Sequence, residues 1–276
     1  MNERHFCLDD SPWFKMLELD EVTSTNDFLR GYRPVGSEPH IVLVTAEFQT
    51  AGRGAGENRW ESNRGENLMF SILVHPRHIL ADRVFVLSEI IALSVRQAVD
   101  DLLYTHLSPL TPHLKIKWPN DIYYDDRKVC GMLIENDFCG TKVENCVIGV
   151  GVNVNQKVFQ FDRTKKDGLR RIAEPISIAE IAGHEVERRF VLENIMEHFT
   201  RYYEWTEQGR ADELHQLYLD HLYRRGEMCG FRDADGFFEG VITDVEPTGH
   251  LIVSDVPGDK AVRRYAFKEV EYVIKF

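Results

Sequence analysis

The spacing of apolar positions divides the first half of the chain into short strands and one long helix. An apolar run at 41–44 and a strand-like run at 68–74 predict buried strands. From about 82 to 104 the apolar positions recur at helical spacing, and Pro109 and Pro112 cannot continue that helix. The pattern therefore predicts a sheet with one long helix as core support.

Further strands and then a helical layer are predicted in the middle of the chain. Strands are expected at 115–124, 128–135 and 144–154, separated by turns at 125–127 and 136–140. Segments rich in aromatic and charged residues then predict helices at about 177–208 and 210–223.

The composition changes at about residue 224. From there, turn residues separate short alternating runs at 227–231, 237–245, 250–254, 262–267 and 270–274. Such runs are typical of a small β-barrel of SH3-like type. We therefore expect an α+β protein, with a mixed β-sheet backed by helices over 1–223 and a C-terminal SH3-like barrel over 224–276.

Bulk properties exclude several classes of protein. A formal net charge of -12 and a pI near 5.4 argue against a general nucleic-acid binder. No apolar stretch approaches the roughly 18 residues of a membrane span, and no signal peptide is evident, so a cytoplasmic location is expected. An odd number of cysteines without close pairs predicts reduced, structural thiols: Cys7, Cys130, Cys139, Cys146 and Cys229.

Segment 49–60 carries the densest candidate chemistry. Glycine occupies positions 52, 54 and 56, Arg53 follows the first of these glycines, and Trp60 ends the segment. Exposed backbone amides beside an arginine favour an anion, and the tryptophan offers an apolar lid. No helix opens directly after the glycines, so this is not a dinucleotide fingerprint. The segment predicts a mobile loop that closes over a partly anionic ligand, or else a solvated hairpin loop.

Four more segments combine polar or charged residues with unusual backbone choices: 24–26, 117–121, 127–131 and 149–155. Glycines inside the last one indicate close approach of a ligand or of another part of the chain. Asn120 and Asp121 follow Pro119 at a bend, where their side chains can reach a metal or phosphate.

In order and residue type, these segments resemble the biotin protein ligases. The matching elements are Ser24-Thr25-Asn26, Gln49 with the Gly-Arg-Gly loop ending at Trp60, Lys117-Trp118-Pro119-Asn120-Asp121, Arg127-Lys128 with Gly131, and the Gly-x-Gly-x-Asn of 149–153. The resemblance covers about 15–155. It implies a class II synthetase-like catalytic domain, which the terminal barrel follows in the family's order. Too few residues precede the first strand for a helix-turn-helix module, so we expect a ligase-only type without DNA binding.

The resemblance implies ATP-dependent activation of biotin to biotinyl-5'-AMP, and transfer to a lysine of a biotin carboxyl carrier protein domain. It implies contacts with biotin from Ser24, Thr25, Asn26, Gln49, Arg53, Gly54, Ala55, Lys128 and Gly131. It implies contacts with ATP or the adenylate from Gly52, Trp60, Lys117, Asn120, Asp121 and Asn153. Arg53 and Lys128 match the catalytic cations that offset repulsion between the joining anions, and Asp121 matches a ligand of Mg²⁺ bound with the phosphates.

Several of these residues have simpler alternatives. The hydroxyls of 24–25 could cap a short helix, and Lys128 could be a surface lysine of an edge strand. Asn120 could serve only to form a turn. Trp60 could contact the adenine, pack in the loop or simply be buried, whereas Trp118 is expected to pack in the core.

One position departs from the family pattern. Many members carry a second basic residue where this chain has Ala55. We therefore expect a looser hold on biotinyl-adenylate, which Arg59 could offset from further along the loop. We expect the glycine loop to be disordered in the absence of ligand.

Two other functions stay open. A lipoate–protein ligase shares the implied fold and adenylation chemistry, but a dithiolane ring requires apolar walls, which the polar 24–26 segment does not offer. A non-catalytic biotin-binding sensor would not need Arg53, Lys117, Asp121 and Lys128 together. No membrane association is expected, and a homodimer remains an option.

Overall fold

The apolar runs of the first half lie side by side in one sheet. The computed structural model describes residues 8, 13–33, 41–56, 58–104, 113–159, 173–255 and 262–273. Within these ranges, the large sheet contains β1 (Phe14–Val22), β2 (Ile41–Gln49), β3 (Leu68–Val74), β4 (Leu114–Lys117), β5 (Asp121–Tyr124), β6 (Arg127–Cys139) and β7 (Lys142–Val152). The order is β1-β2-β3-β7-β6-β5-β4. Only the β1–β2 pair is parallel, so the sheet is mixed.

Alternate residues of β2 serve two different cores. Leu43 faces the large core that contains helix α2 (Val86–Tyr104), whereas Val42 and Val44 join a smaller cluster beside helix α1 (Thr25–Gly31). Successive strand residues point to opposite faces. The unbroken apolar run at 41–44 therefore reflects a strand that is covered on both sides.

The helical layer lies behind the large sheet and follows the prediction with one correction. The structure has α3 (Ile178–Ala182), α4 (Arg188–Glu207) and α5 (Ala211–Asp220). The single helix predicted for 177–208 is wrong, because Gly183 adopts φ 79° and ends α3 in the left-handed conformation. The long helix begins at Val86 after a 3₁₀ turn at Ala81–Arg83. The two prolines expected to stop it lie outside the described residues.

Two predicted strand boundaries also change. The strand expected over 115–124 is a hairpin of β4 and β5, because the chain turns at Trp118–Asn120 around a cis bond between Trp118 and Pro119. Strand β6 continues to Cys139, so the next turn lies at 140–141 and not at 136–140. The first change matters for function, because it places Asn120 and Asp121 at the end of a hairpin.

The C-terminal segment forms the small β-domain predicted for it. The strands are β8 (Met228–Asp233), β9 (Gly236–Val245), β10 (Leu251–Ser254), β11 (Val262–Tyr265) and β12 (Glu271–Val273), in the antiparallel order β11-β10-β9-β8-β12. This five-stranded sheet is consistent with an SH3-like domain, and the predicted fold class is confirmed. The domain boundary at residue 224 stays a prediction.

The small sheet packs against the large one at the β4–β5 turn. Trp118 is buried, and its Nε1 donates to the carbonyl oxygen of Gly249 at 2.9 Å. Apolar residues of both sheets, such as Ile116 and Phe231, belong to one buried cluster.

Two expectations from composition can also be compared with the structure. Among the described helices, none is long and apolar enough to cross a bilayer. The thiols that the structure describes are free: Cys130, Cys139, Cys146 and Cys229. Cys7 lies outside the described residues.

Candidate functional site

One pocket collects nearly all the predicted site residues. It lies between the N-terminal end of α1, the glycine loop that joins β2 to β3, the β4–β5 turn and the floor formed by β6 and β7. Every predicted residue lines it except Gly52 and Asn153. The motifs that are far apart in the sequence thus meet because the strand order places β7 beside β3 and β6 beside β7.

Thr25 and Gln49 form one polar edge of the pocket. The backbone N–H and the hydroxyl of Thr25 both donate to Gln49 Oε1, at 2.8 and 3.1 Å. Ser24 is the N-cap of α1, where its hydroxyl accepts from the Asp27 N–H at 3.4 Å. The capping role considered for Ser24 is therefore present, and Ser24 still lines the pocket.

Asn26 forms the second part of this polar wall, and three residues not predicted from sequence hold it. Its amide donates to the Leu133 carbonyl at 3.2 Å and to Glu135 Oε2 at 2.9 Å. The Ser71 hydroxyl donates to Asn26 Oδ1 at 2.6 Å, which leaves one acceptor lone pair on that oxygen. A Cβ at Gly149 would collide with the Asn26 side chain. Gly149 therefore makes room for Asn26.

Trp60 lies across two facing glycines on the pocket floor. Gly131 of β6 pairs with Gly151 of β7, and a Cβ added to either would meet the Trp60 ring or, at Gly131, also the Lys128 ammonium group. The cavity that remains is about 160 Å³, below the roughly 300–1,000 Å³ of typical ligand sites. Trp60 Nε1 is buried without a hydrogen-bond partner among the described residues. A bound ligand can supply that partner once the ring moves.

The opposite side of the pocket is charged. Lys128 Nζ lies 2.7 Å from Asp121 Oδ2, and both side chains are about one-quarter exposed. Asn120 directly precedes Asp121 in the β4–β5 turn and is buried. Lys117 also lies here, with its ammonium group 4.7 Å from the ring centroid of Tyr272. Burial lowers the pKa of Lys117, and the Asp121 carboxylate opposes that shift.

Arg53 is held at the pocket mouth by two carboxylates. Its guanidinium group donates to Asp27 and, at 2.6 Å, to Glu135. Hydrogen bonding to Glu135 raises the pKa of Arg53. Burial opposes ionisation of Glu135, but hydrogen bonds from Asn26 and Arg53 outweigh it and its pKa is lowered. Glu135 thus joins the polar wall to the loop cation, although no sequence motif pointed to it.

Two predicted residues lie behind the pocket. Asn153 is buried, and its amide donates to the Lys128 carbonyl at 3.2 Å, so that it supports the strand that carries Lys128. The carbonyl of Gly52 accepts from the Trp60 N–H at 3.1 Å, and a Cβ there would collide with the Trp60 backbone. Both therefore shape the site from outside its lining.

The β4–β5 turn carries two side chains whose oxygen atoms can bind a metal ion. Within the described ranges, no group of three or more His, Cys, Asp or Glu side chains is placed to hold a metal ion. Asp121 and the adjoining Asn120 can still complete the shell of a hydrated Mg²⁺ that is bound mainly through phosphates, because such an ion needs few protein ligands. The donor set at the β4–β5 turn therefore fits this ion.

Comparisons with known proteins agree with the motif order. Residues 19–153 match the model of the biotin/lipoate A/B protein ligase family. A bifunctional ligase/repressor of Bacillus subtilis is 28% identical over 225 residues, which is 81% of this chain. A biotin–[acetyl-CoA-carboxylase] ligase of Paracoccus denitrificans is 26% identical over 227 residues, 79% of this chain and 86% of that relative. The motif order and these matches therefore agree on a resemblance to the biotin/lipoate protein ligases.

The family fold extends beyond the matched segment. The structure of the Aquifex aeolicus biotin protein ligase in complex with biotin and ATP aligns with a TM-score of 0.70 at 22% identity, covering 92% of this chain and 97% of that one. The aligned share of this chain is larger than the segment that the family model matches. This chain spans 65% of the length of the Bacillus subtilis relative. The resemblance inferred from the motifs is confirmed at the level of family and fold.

Proposed function

We propose that the chain is a biotin protein ligase that activates biotin with ATP and transfers it to a carrier lysine. The observation that carries this proposal is one pocket with a neutral polar wall on one side and paired charged groups on the other. The relatives named as biotin ligases support the same choice of substrate.

Biotin suits the polar wall because its ureido ring is neutral and carries both hydrogen-bond donors and acceptors. Thr25, Asn26 and Gln49 provide matching groups, all oriented by hydrogen bonds within the chain. Such a preorganised wall rejects a ring that cannot hydrogen-bond, because its buried groups would then be left unpaired. Lipoate has an apolar dithiolane ring and is disfavoured for that reason.

The activation step joins two anions. A biotin carboxylate oxygen attacks the α-phosphorus of ATP, the bond to the bridging oxygen breaks, and pyrophosphate leaves with that electron pair. Arg53 and Lys128 supply positive charge at the pocket mouth and floor. Each already faces a carboxylate, so an entering anion exchanges one negative partner for another and does not have to neutralise a bare cation.

Magnesium belongs to the same proposal. Bound with the nucleotide, Mg²⁺ would supply positive charge to the phosphate oxygens. Asp121 is the residue that would hold it, with Asn120 beside it. Lys128 and Asp121 are now paired with each other. If Asp121 held the metal ion, the ammonium group of Lys128 would be available to the reacting carboxylate.

The transfer step needs orientation more than new chemistry. The carrier lysine amine attacks the acyl carbon of biotinyl-5'-AMP, an amide bond forms, and AMP leaves with the electron pair of the broken anhydride bond. The expected partner is the biotin carboxyl carrier protein domain of a biotin-dependent carboxylase.

Intact-mass measurement of a purified carrier domain tests the whole proposal. Incubation with the chain, biotin, ATP and Mg²⁺ is expected to add one biotin to the carrier. A carrier whose acceptor lysine is changed to arginine is expected to stay unmodified. The proposal would be contradicted if the carrier were labelled with lipoate and not with biotin. It would also be contradicted if the chain formed no adenylate and left the carrier unlabelled.

A further inference from the structure

The C-terminal sheet presents a fixed turn to the glycine loop. In the turn after β11, the Glu269 N–H donates to the Ala266 carbonyl at 3.1 Å, and the Glu269 carboxylate accepts from the Ala266 N–H at 2.7 Å. Phe267 lines the pocket and packs edge-on against Trp118, with ring centroids 6.0 Å apart. This turn is therefore part of the pocket wall and is anchored to the β4–β5 turn.

Lys268 occupies an unusual position in that turn. Its φ is 73°, in the left-handed region where glycine would be less strained. Its ammonium group lies against Gly56 of the glycine loop and fills the space that a Cβ atom at this position would need. Lys268 Cε would lie 3.3 Å from such a Cβ atom. Among the described residues, no carboxylate pairs with this ammonium group. A lysine held in a strained backbone conformation next to the loop indicates a role for its charge.

The charges around the loop leave a role for such a cation. Arg53 is held by Asp27 and Glu135, and Lys128 by Asp121. Ala55 contributes no charge to the glycine loop. The protein as a whole is strongly acidic, so a polyphosphate needs locally concentrated positive charge.

We propose that Lys268 binds the phosphate groups of the nucleotide and supplies the loop charge that Ala55 lacks. Lys268 thereby makes the C-terminal sheet part of the nucleotide site. This inference rests on the proposed adenylation function, because it assigns a residue to the ATP of that reaction.

Direct titration with ATP and with inorganic pyrophosphate at low ionic strength tests the inference. Lys268→Ala is expected to weaken both by about tenfold, as loss of one charge-assisted contact at an exposed site implies, while biotin affinity stays the same. Lys268→Gly removes the charge and relieves the backbone, so it is expected to give the same loss without a folding defect. Lys268→Arg keeps the charge and is expected to stay near wild type.

A rescue variant and two controls sharpen the result. Ala55→Arg in the Lys268→Ala background is expected to restore ATP affinity, because it returns one positive charge to the loop. Lys142→Ala, at the exposed start of β7 and away from the pocket, is the matched lysine control and is expected to leave ATP affinity unchanged. Arg59→Ala tests the other cation of the loop.

The outcomes separate the inference from the proposed function. ATP and pyrophosphate affinities of Lys268→Ala and Lys268→Gly within about twofold of wild type, a change too small for a charge-assisted contact, would overturn the inference. So would an equal loss in Lys142→Ala, or a loss confined to Arg59→Ala. A wild-type chain that binds ATP without biotin-dependent exchange would count against the proposed function. The titrations would still decide the role of Lys268 in that case.

Discussion

Ser71→Ala isolates the contribution of the polar wall to stability and to binding. The Ser71 side chain is fully buried on β3, 2.7 Å from Thr25 Oγ1 and 2.6 Å from Asn26 Oδ1. Thr25 and Asn26 are themselves buried, so water cannot easily replace the lost hydroxyl. Ser71 has one hydroxyl proton, and the Thr25 hydroxyl already donates to Gln49, so the change removes one hydrogen bond and leaves the buried Asn26 Oδ1 without its donor. An unpaired buried acceptor costs about 1–3 kcal/mol, so the free energy of unfolding is expected to fall by about 2 kcal/mol.

The same change is expected to affect one substrate only. Without Ser71, the Asn26 amide loses one of its three anchors and samples other orientations. We expect biotin to bind about tenfold more weakly, which corresponds to about 1.4 kcal/mol. ATP affinity is expected to stay the same, because the charged side of the pocket is untouched. Urea unfolding and calorimetric titration with each substrate measure the two effects.

Ser94→Ala is the matched control. Ser94 is also fully buried, and its hydroxyl donates to the Ile90 carbonyl at 2.6 Å inside α2, where the helix backbone already uses that carbonyl. Its loss is expected to cost little stability and no biotin affinity. Equal destabilisation by the two changes would refute the stability argument. Unchanged biotin affinity in Ser71→Ala would refute the role of Ser71 in orienting the wall.

Three further predictions follow from other parts of the structure. Gly151→Ala is expected to cost about 1–3 kcal/mol of stability by crowding Trp60, and much less in a Trp60→Ala background; equal costs in urea unfolding would contradict this. Hydrogen bonding to Glu89 raises the pKa of His215 above its ordinary 6.5, so its stabilisation is full below that pH and is lost as pH rises through the folded value. The stability gap between wild type and His215→Gln should therefore shrink as the pH rises above about 6.5, and a gap that stays constant would argue against the pairing. Ala55→Arg is expected to slow release of biotinyl-adenylate in a filter assay, and equal release rates would end that idea.

Motif order located the pocket because its residues sit at strand ends and in one loop. Residue types such as the glycines of 52–56 and the Asn120-Asp121 pair keep their chemical meaning without a structure. Their meeting point depends on which strands are neighbours, and the family resemblance supplied that information. Periodicity alone would have placed the strands and the helices but not the order of the sheet.

Ser71 and Glu135 were missed because they act through partners distant in sequence. Ser71 bonds Asn26 across 45 residues, and Glu135 bonds Arg53 across 82. A lone hydroxyl inside the apolar run of β3 was a readable signal for Ser71, since a buried hydroxyl requires a partner. Glu135 gave no such signal, because alternating strands commonly carry a glutamate on their outer face.

Two of the wrongly predicted strand or helix boundaries coincide with a residue that interrupts that element. Pro119 marks the interruption of the strand predicted over 115–124, because proline cannot donate to the ladder. Gly183 inside a predicted helix marked the end of α3 in the same way. The glycines of β7 were interpreted as a place for close approach, and Asn26 and Trp60 are the groups that approach them.

Biotin-dependent ATP–pyrophosphate exchange in the presence of Mg²⁺, with lipoate as the parallel control, tests the central claim most directly. The pocket described here predicts exchange with biotin and none with lipoate, because the polar wall of Thr25, Asn26 and Gln49 is built for a hydrogen-bonding ring. Exchange with lipoate alone, or with neither acid, would contradict the account of the pocket and of the reaction it supports.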